Sequence, residues 1–568
     1  MLKPFSRAFS RMAFAVALGW AILPAAAQGQ KSVPPSSAQS SELSEPNLYE
    51  FLLGEIALQR GDAGLAAQTY LDLAKRTRDP RIARRAVEVA NHARMPDLAL
   101  EAGKLWHDIE PGSAQALQVV AALLVSAKRV EEAEPYLVKL LAADGVNVEN
   151  GFVQLNRLLA GNPDKVANQR LVRSLAARYP QLAQAHFAVA QAAAIAGDDA
   201  AALEAIRRAQ AIRPEWETGV IFEAQLLQKR SPAEAAKRLG EFVEKYPRSN
   251  EARISYARVL VLDKRFPEAR KQFEALLAAS PGNPEVVYAV GLLAFQLKDY
   301  PVAEENMKRL LGMGYRDPNG VRYVLGQIAE EQKQWPQAIK WYDSIDDGDQ
   351  LIPARVRIAG AIAKQGKLDE ARVFLQRVGE EYPGERIQLT VAEAQLLREA
   401  NRHRDAYEVL GKALKEEPEQ PELLYDHALT AEKLERFDVL ESNLRKLIQV
   451  RPDHAHAYNA LGYSFAERNT RLPEARKLIE KALEIAPEDY FIIDSLGWVL
   501  YREGNLKGAA EQLRRAYTGR PDAEIGAHLG EVLWVMGRRD EADRIWQESL
   551  KASPENETLQ KTIKRLKK

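Results

Sequence analysis

The chain has 568 residues, 79 basic and 79 acidic side chains, and no cysteine. A formal net charge of zero argues against a general nucleic-acid binder, which needs a basic excess to displace counterions from phosphates. Without cysteine there is no disulfide, no thiolate-bound metal and no thiol nucleophile, so an oxidising compartment would leave the chain unchanged.

Lys3, Arg7 and Arg11 open the chain, an apolar run follows from Met12 to Leu23, and Pro24 breaks it before Ala25, Ala26 and Ala27. A basic start, an apolar stretch and small residues are the three parts of a secretory signal peptide, read here as residues 1–27 with cleavage before Gln28. The run is short of the roughly 20 apolar residues a membrane span needs. No cysteine follows to accept a lipid, and Arg7 and Arg11 are not adjacent as a twin-arginine signal requires. The expectation is an exported, soluble mature chain, periplasmic in a double-membrane bacterium, with no lipid anchor. Residues 28–46, with KSVPPSSAQSSELSEP, hold nothing that can bury a core and read as a flexible, disordered linker.

From Asn47 the chain repeats itself. In ISYARVLVLDKRFPEARKQFEALLAASP, residues Ala257, Leu260, Ala269, Phe273, Leu276 and Pro281 stand at spacings of 3, 9, 4, 3 and 5. Small residues belong where two helices cross closely, larger ones fill the space between them, and proline ends the second helix. Pro383, Pro418 and Pro452 follow at steps of 35 and 34, and Pro487, Pro521 and Pro554 at 34 and 33. Residues 47–180 carry the pattern in partly degenerate form, weakest from Gly145 to Pro180, and 181–554 form the regular array. In residues 555–568, Leu559, Ile563 and Leu566 suit a capping helix with Lys561, Lys564, Arg565, Lys567 and Lys568 toward water.

These spacings resemble the tetratricopeptide-repeat (TPR) family, whose 34-residue helix–turn–helix units stack into an all-α solenoid. The resemblance implies a right-handed superhelix with ligands along a concave side, facing positions 2, 5, 9 and 12 of each first helix. In the last three units those positions give His456, Asn459 and Tyr463, then Phe491, Asp494, Trp498 and Tyr501, then Glu531 and Trp534. Large aromatics with polar tips suit interface anchors, although aromatics at helical spacing also serve as packing between repeats. On the anchor reading, Trp498→Ala and Trp534→Ala weaken partner capture and leave the helices intact. The Lys–Asn–Arg clamp with which some family members hold chaperone tails is not found in these last units: Asn459 is present, but Tyr463 and Asp494 stand where the clamp needs other residues.

Nothing in the chain reads as an enzyme. The one close histidine pair, His454 and His456, is spaced i, i+2 and diverges on a helix. No zinc-protease, phosphate-loop, dinucleotide or nucleophile-elbow motif is present, so no catalytic residue, metal or cofactor is expected. The C-terminal blocks YNALGYSFAER, DSLGWVLYREGNLKGA and AHLGEVLWVMGRRDEA resemble a proteobacterial family of long exported TPR proteins. That family includes the lipoprotein partner of a carboxyl-terminal processing protease, an adaptor that brings cell-wall hydrolases to it. The resemblance implies a non-catalytic scaffold with protein or peptide partners. The alternative is a structural part of an envelope assembly machine for polysaccharide export or outer-membrane biogenesis. Exposed repeat edges leave self-association open.

Overall fold

The computed structural model describes residues 45–143 and 146–567. The expected signal peptide lies outside the described residues, as does nearly all of the expected linker. The described residues hold 31 α-helices of 9 to 15 residues and no strand. The chain divides into two compact units, residues 1–226 and 227–568, and the division falls within one helix.

In the first unit the helices are α1 (Glu45–Gln59), α2 (Ala63–Thr77), α3 (Pro80–His92), α4 (Pro96–Ile109), α5 (Ala114–Ser126), α6 (Val130–Leu141), α7 (Val148–Leu158), α8 (Lys165–Ala176), α9 (Ala183–Ile195) and α10 (Asp199–Ile212), followed by α11 (Glu217–Gln228), which runs past the division. The second unit continues with α12 (Pro232–Lys245), α13 (Asn250–Leu262), α14 (Phe266–Ala279), α15 (Pro284–Gln296), α16 (Tyr300–Gly312), α17 (Pro318–Glu331), α18 (Trp335–Asp343), α19 (Leu351–Lys364), α20 (Leu368–Glu381) and α21 (Arg386–Glu399). It ends with α22 (His403–Glu416), α23 (Pro421–Lys433), α24 (Phe437–Val450), α25 (Ala455–Glu467), α26 (Leu472–Ile485), α27 (Tyr490–Arg502), α28 (Leu506–Gly519), α29 (Ala523–Val535), α30 (Arg539–Ala552) and α31 (Glu557–Leu566).

Within each unit most successive helices pack on one another, so each is a solenoid rather than a globule around one core. The period is written most plainly in the turns. Lys264, Lys298, Lys333, Gly366, Asn401, Glu435, Asn469, Gly504 and Gly537 each lie between the two helices of a pair, with φ between 55° and 85°. A reversal this tight needs one left-handed residue, and stacking pins it so firmly that lysine and glutamate accept a conformation glycine would take freely. Proline in the first turn starts α12, α14 and α15, where its missing N–H costs nothing. Capping side chains finish the entries, as where Asn505 Oδ1 accepts from the Gly508 N–H at 3.0 Å.

The link between α7 and α8 departs from this rule, in the stretch where the sequence pattern is weakest. A short 3-10 turn at Leu159–Gly161 follows α7, and Asn162 replaces the left-handed turn with an extended conformation. Buried Asn162 donates to Asn168 Oδ1 at 2.8 Å, and Asn168 donates to the Leu159 carbonyl at 2.9 Å, satisfying backbone that an ordinary turn would pair. Both α7 and α8 pack on α9.

At the other end α31 lies chiefly on α29 and buries Leu559. Its basic residues do not all face open water: Arg565 is paired with Glu531, and Lys567 with Asp543.

Candidate partner-binding surface

The glycines of the three C-terminal blocks set the geometry of the surface. A Cβ on Gly497 would lie 2.5 Å from Leu513 Cγ, and one on Gly530 would lie 2.0 Å from Trp546 Nε1. Fully buried Ala509 and Ala542 face these crossings from α28 and α30. With both sides small, each pair closes tightly, and first helices come to lie beside first helices: α21 packs on α23, α25 on α27, and α27 on α29.

The nine residues selected by position divide by depth. His456 and Phe491 are exposed, whereas Asn459, Tyr463, Tyr501 and Trp534 are half-buried. Asp494, Trp498 and Glu531 are only 6%, 5% and 3% exposed, inside the packing between repeats. The structure gathers five of the nine (Tyr463, Asp494, Trp498, Tyr501 and Glu531) around one buried histidine, His528, or onto each other. His456 instead stands 3.7 Å from Asp489, Phe491 lies under the Arg520 guanidinium at 4.5 Å, and Trp534 packs on Trp546 with Arg539 over its ring.

His528 is the residue that positional reasoning missed, because it falls at position 6 of its helix and not at a groove position. Its ring stacks on Trp498 with centroids 4.2 Å apart, and its Nδ1 lies 3.0 Å from Asp494 Oδ2. Burial pulls its pKa down, but Asp494 and then Glu467 and Glu531 outweigh burial, so the pKa lies above the ordinary histidine value. Trp498 Nε1 donates to Glu467 at 2.8 Å, and the Tyr501 hydroxyl donates to Glu531 at 3.1 Å. Burial, then the carboxylates of Glu467, Asp494, Glu524 and Glu432, push the Tyr463 phenol up, so it stays a neutral hydroxyl. The network is thus a polar seam that holds α25, α27, α29 and α31 in register. The carboxylates it buries already have donors.

A cleft of about 510 Å³ lies farther up the first-helix side, lined by Gln388 and Val391 of α21, Glu422, Tyr425 and Asp426 of α23, and His454 at the start of α25. Glu422 and Tyr425 hold positions 2 and 5 of α23, the frame that selects His456 and Asn459 one unit later, and Gln388 and Val391 stand 34 residues before them. Carrying that frame back two units was the available signal. Asp426 is held by Arg398 at 2.6 Å, which fixes one wall. Burial lowers the His454 pKa, so its imidazole is uncharged near neutrality. A larger cleft, about 810 Å³, lies among Lys507, Arg514 and Arg538 along α28, on second helices; Arg514 and Arg538 share Glu541. Among the described residues no group of acidic and histidine side chains is arranged to hold a metal ion.

Comparison with known proteins gives the same repeat. Family models described as tetratricopeptide repeat match residues 225–284, 288–350, 354–384 and 425–490. The TPR repeat-containing protein PA4667 of Pseudomonas aeruginosa is 34% identical over 528 residues, 92% of this chain and 88% of the relative. Cellulose synthase operon protein C of Pseudomonas fluorescens is 23% identical over 329 residues, 54% of this chain but 25% of that protein. Among solved structures, yeast Tom70 matches 93% of this chain and 96% of its own, at 15% identity and a TM-score of 0.35.

Proposed function

Because the chain belongs to the tetratricopeptide-repeat family, we propose that it is a non-catalytic scaffold of the cell envelope that gathers substrates for a carboxyl-terminal processing protease. The carrying observation is the first-helix side of the second unit. There Tyr425 lines the open cleft of about 510 Å³, and His456 and Phe491 are exposed on the first helices that follow, while the buried seam around His528 is already satisfied. A rigid surface with a few half-exposed aromatics and fixed polar groups suits an extended or helical peptide segment. The protease reading is favoured by the LGY, LGW and LGE blocks at Leu461–Tyr463, Leu496–Trp498 and Leu529–Glu531, which resemble the exported adaptor family. The signal-peptide pattern of residues 1–27 supports a place in the periplasm.

The likeness to cellulose synthase operon protein C favours a second reading, a structural part of a polysaccharide-export machine. Pull-down from gently crosslinked envelopes, with the tag after Lys568, separates the two. Enrichment of a serine protease and cell-wall hydrolases, lost in a Tyr425→Ala, His456→Ala, Phe491→Ala variant that keeps its helicity, supports the adaptor. Enrichment of glycan-export proteins without the protease sinks it in favour of the second reading.

A further inference from the structure

The two ends of the array are finished differently. The closing helix α31 turns Gln560, Lys561 and Lys564 outward and exposes no large apolar side chain. The opening helix α1 does the reverse. Leu48, Tyr49, Leu52 and Ile56 are 44%, 67%, 49% and 46% exposed. At 3.6 residues per turn these four share one stripe about 100° wide. The opposite side of α1 is fully used: Phe51 meets Tyr70 edge-on, Gly54 lies against the Tyr70 ring, and Glu55 accepts from both Tyr70 and Arg85. Repeat arrays need polar outer faces at their ends, and a continuous apolar stripe on a terminal helix marks a surface that something covers.

The stripe carries its own complement. Glu45 and Gln59 lie on the same face, at opposite ends of α1, and Arg60 follows directly. Neither Glu45 nor Arg60 makes an ion pair among the described residues. The midpoint of Glu45 and Gln59 falls at Leu52. A second α1 laid antiparallel across the first with Leu52 against Leu52 sets Leu48 against Ile56 and Glu45 opposite Gln59, one residue from Arg60, within reach of the long arginine side chain. The opposed helix dipoles add to the fit. A face that matches itself under a twofold rotation is what an isologous dimer needs.

We propose that α1 is a self-association surface and that two copies of this chain pair through it, antiparallel, head to head. The contact is small beside standard protein interfaces, so a weak, reversible dimer is expected.

Sedimentation velocity from 1 to 200 µM tests this on the protein expressed from its full reading frame. A reversible monomer–dimer equilibrium is expected. Leu52→Glu, at a half-exposed position that leaves the circular dichroism intact, shifts the midpoint at least tenfold toward monomer. Glu45→Arg and Arg60→Glu each weaken the dimer, and the double charge swap restores it. A monomer throughout the range overturns the proposal, even if the same face captures a different protein. So does a dimer that survives Leu52→Glu, or a charge swap that fails to restore pairing.

Discussion

Replacing Trp498 by alanine separates packing from binding at the C-terminal blocks. The indole is 5% exposed, stacks on His528 at 4.2 Å, and donates to Glu467 at 2.8 Å. Emptying a buried tryptophan site costs about 3–5 kcal/mol in lost transfer energy and cavity, and the stacked pair accounts for about 1 kcal/mol more. The His528–Asp494 pair beneath would also gain access to water. Phe491 is 42% exposed, with one cation–π contact to Arg520, so Phe491→Ala is expected to cost about 1 kcal/mol or less. Urea unfolding followed by far-ultraviolet circular dichroism should show Trp498→Ala shifting or splitting off the transition of the last repeats, because repeats couple mainly to their neighbours. Phe491→Ala should leave the midpoint nearly in place while weakening capture of partners. If Trp498→Ala unfolds no earlier than Phe491→Ala yet abolishes capture, the indole is a ligand anchor and the packing argument is wrong.

His427 is buried, accepts from Asn443 Nδ2 at 2.8 Å, and has its pKa lowered by burial from 6.5 to about 4. Between those values the unfolded chain binds the extra proton, so the contribution is present above pH ~6.5 and lost toward pH ~4. It amounts to about 3 kcal/mol, and His427→Gln should flatten the thermal stability profile across that window. At Gly530 an added methyl would meet the indole of Trp546, itself 1% exposed, so Gly530→Ala should cost about 1–3 kcal/mol by overpacking in chemical denaturation. Arg565→Ala leaves the buried Glu531 carboxylate with only the Tyr501 hydroxyl, and should cost about 2 kcal/mol and speed hydrogen exchange in α31.

Repeat identity was legible in the sequence because it rests on local rules. The small residues at Ala257, Ala269, Gly497 and Ala509, and the prolines a repeat apart, mark crossings and helix ends that depend on neighbours close in the chain. The stretch around Asn162 reads as irregular for the same reason, since its turn lacks the usual residues. The amino-acid pattern also places His456 and Phe491 on the first-helix side. Depth was not legible. Positions 5 and 9 are inward by rule, yet Asp494 and Trp498 are covered and Tyr463 is not fully so. The difference comes from Glu467 one repeat back and His528 one repeat on, each more than 30 residues away. Whether a groove position faces solvent depends on how the next repeat is rotated and how large its side chains are. The period therefore belongs to the sequence alone. The seam around His528, the cleft beside Tyr425 and the bare face of α1 exist only once neighbouring repeats are stacked, because each is made of surfaces that stacking either covers or leaves open.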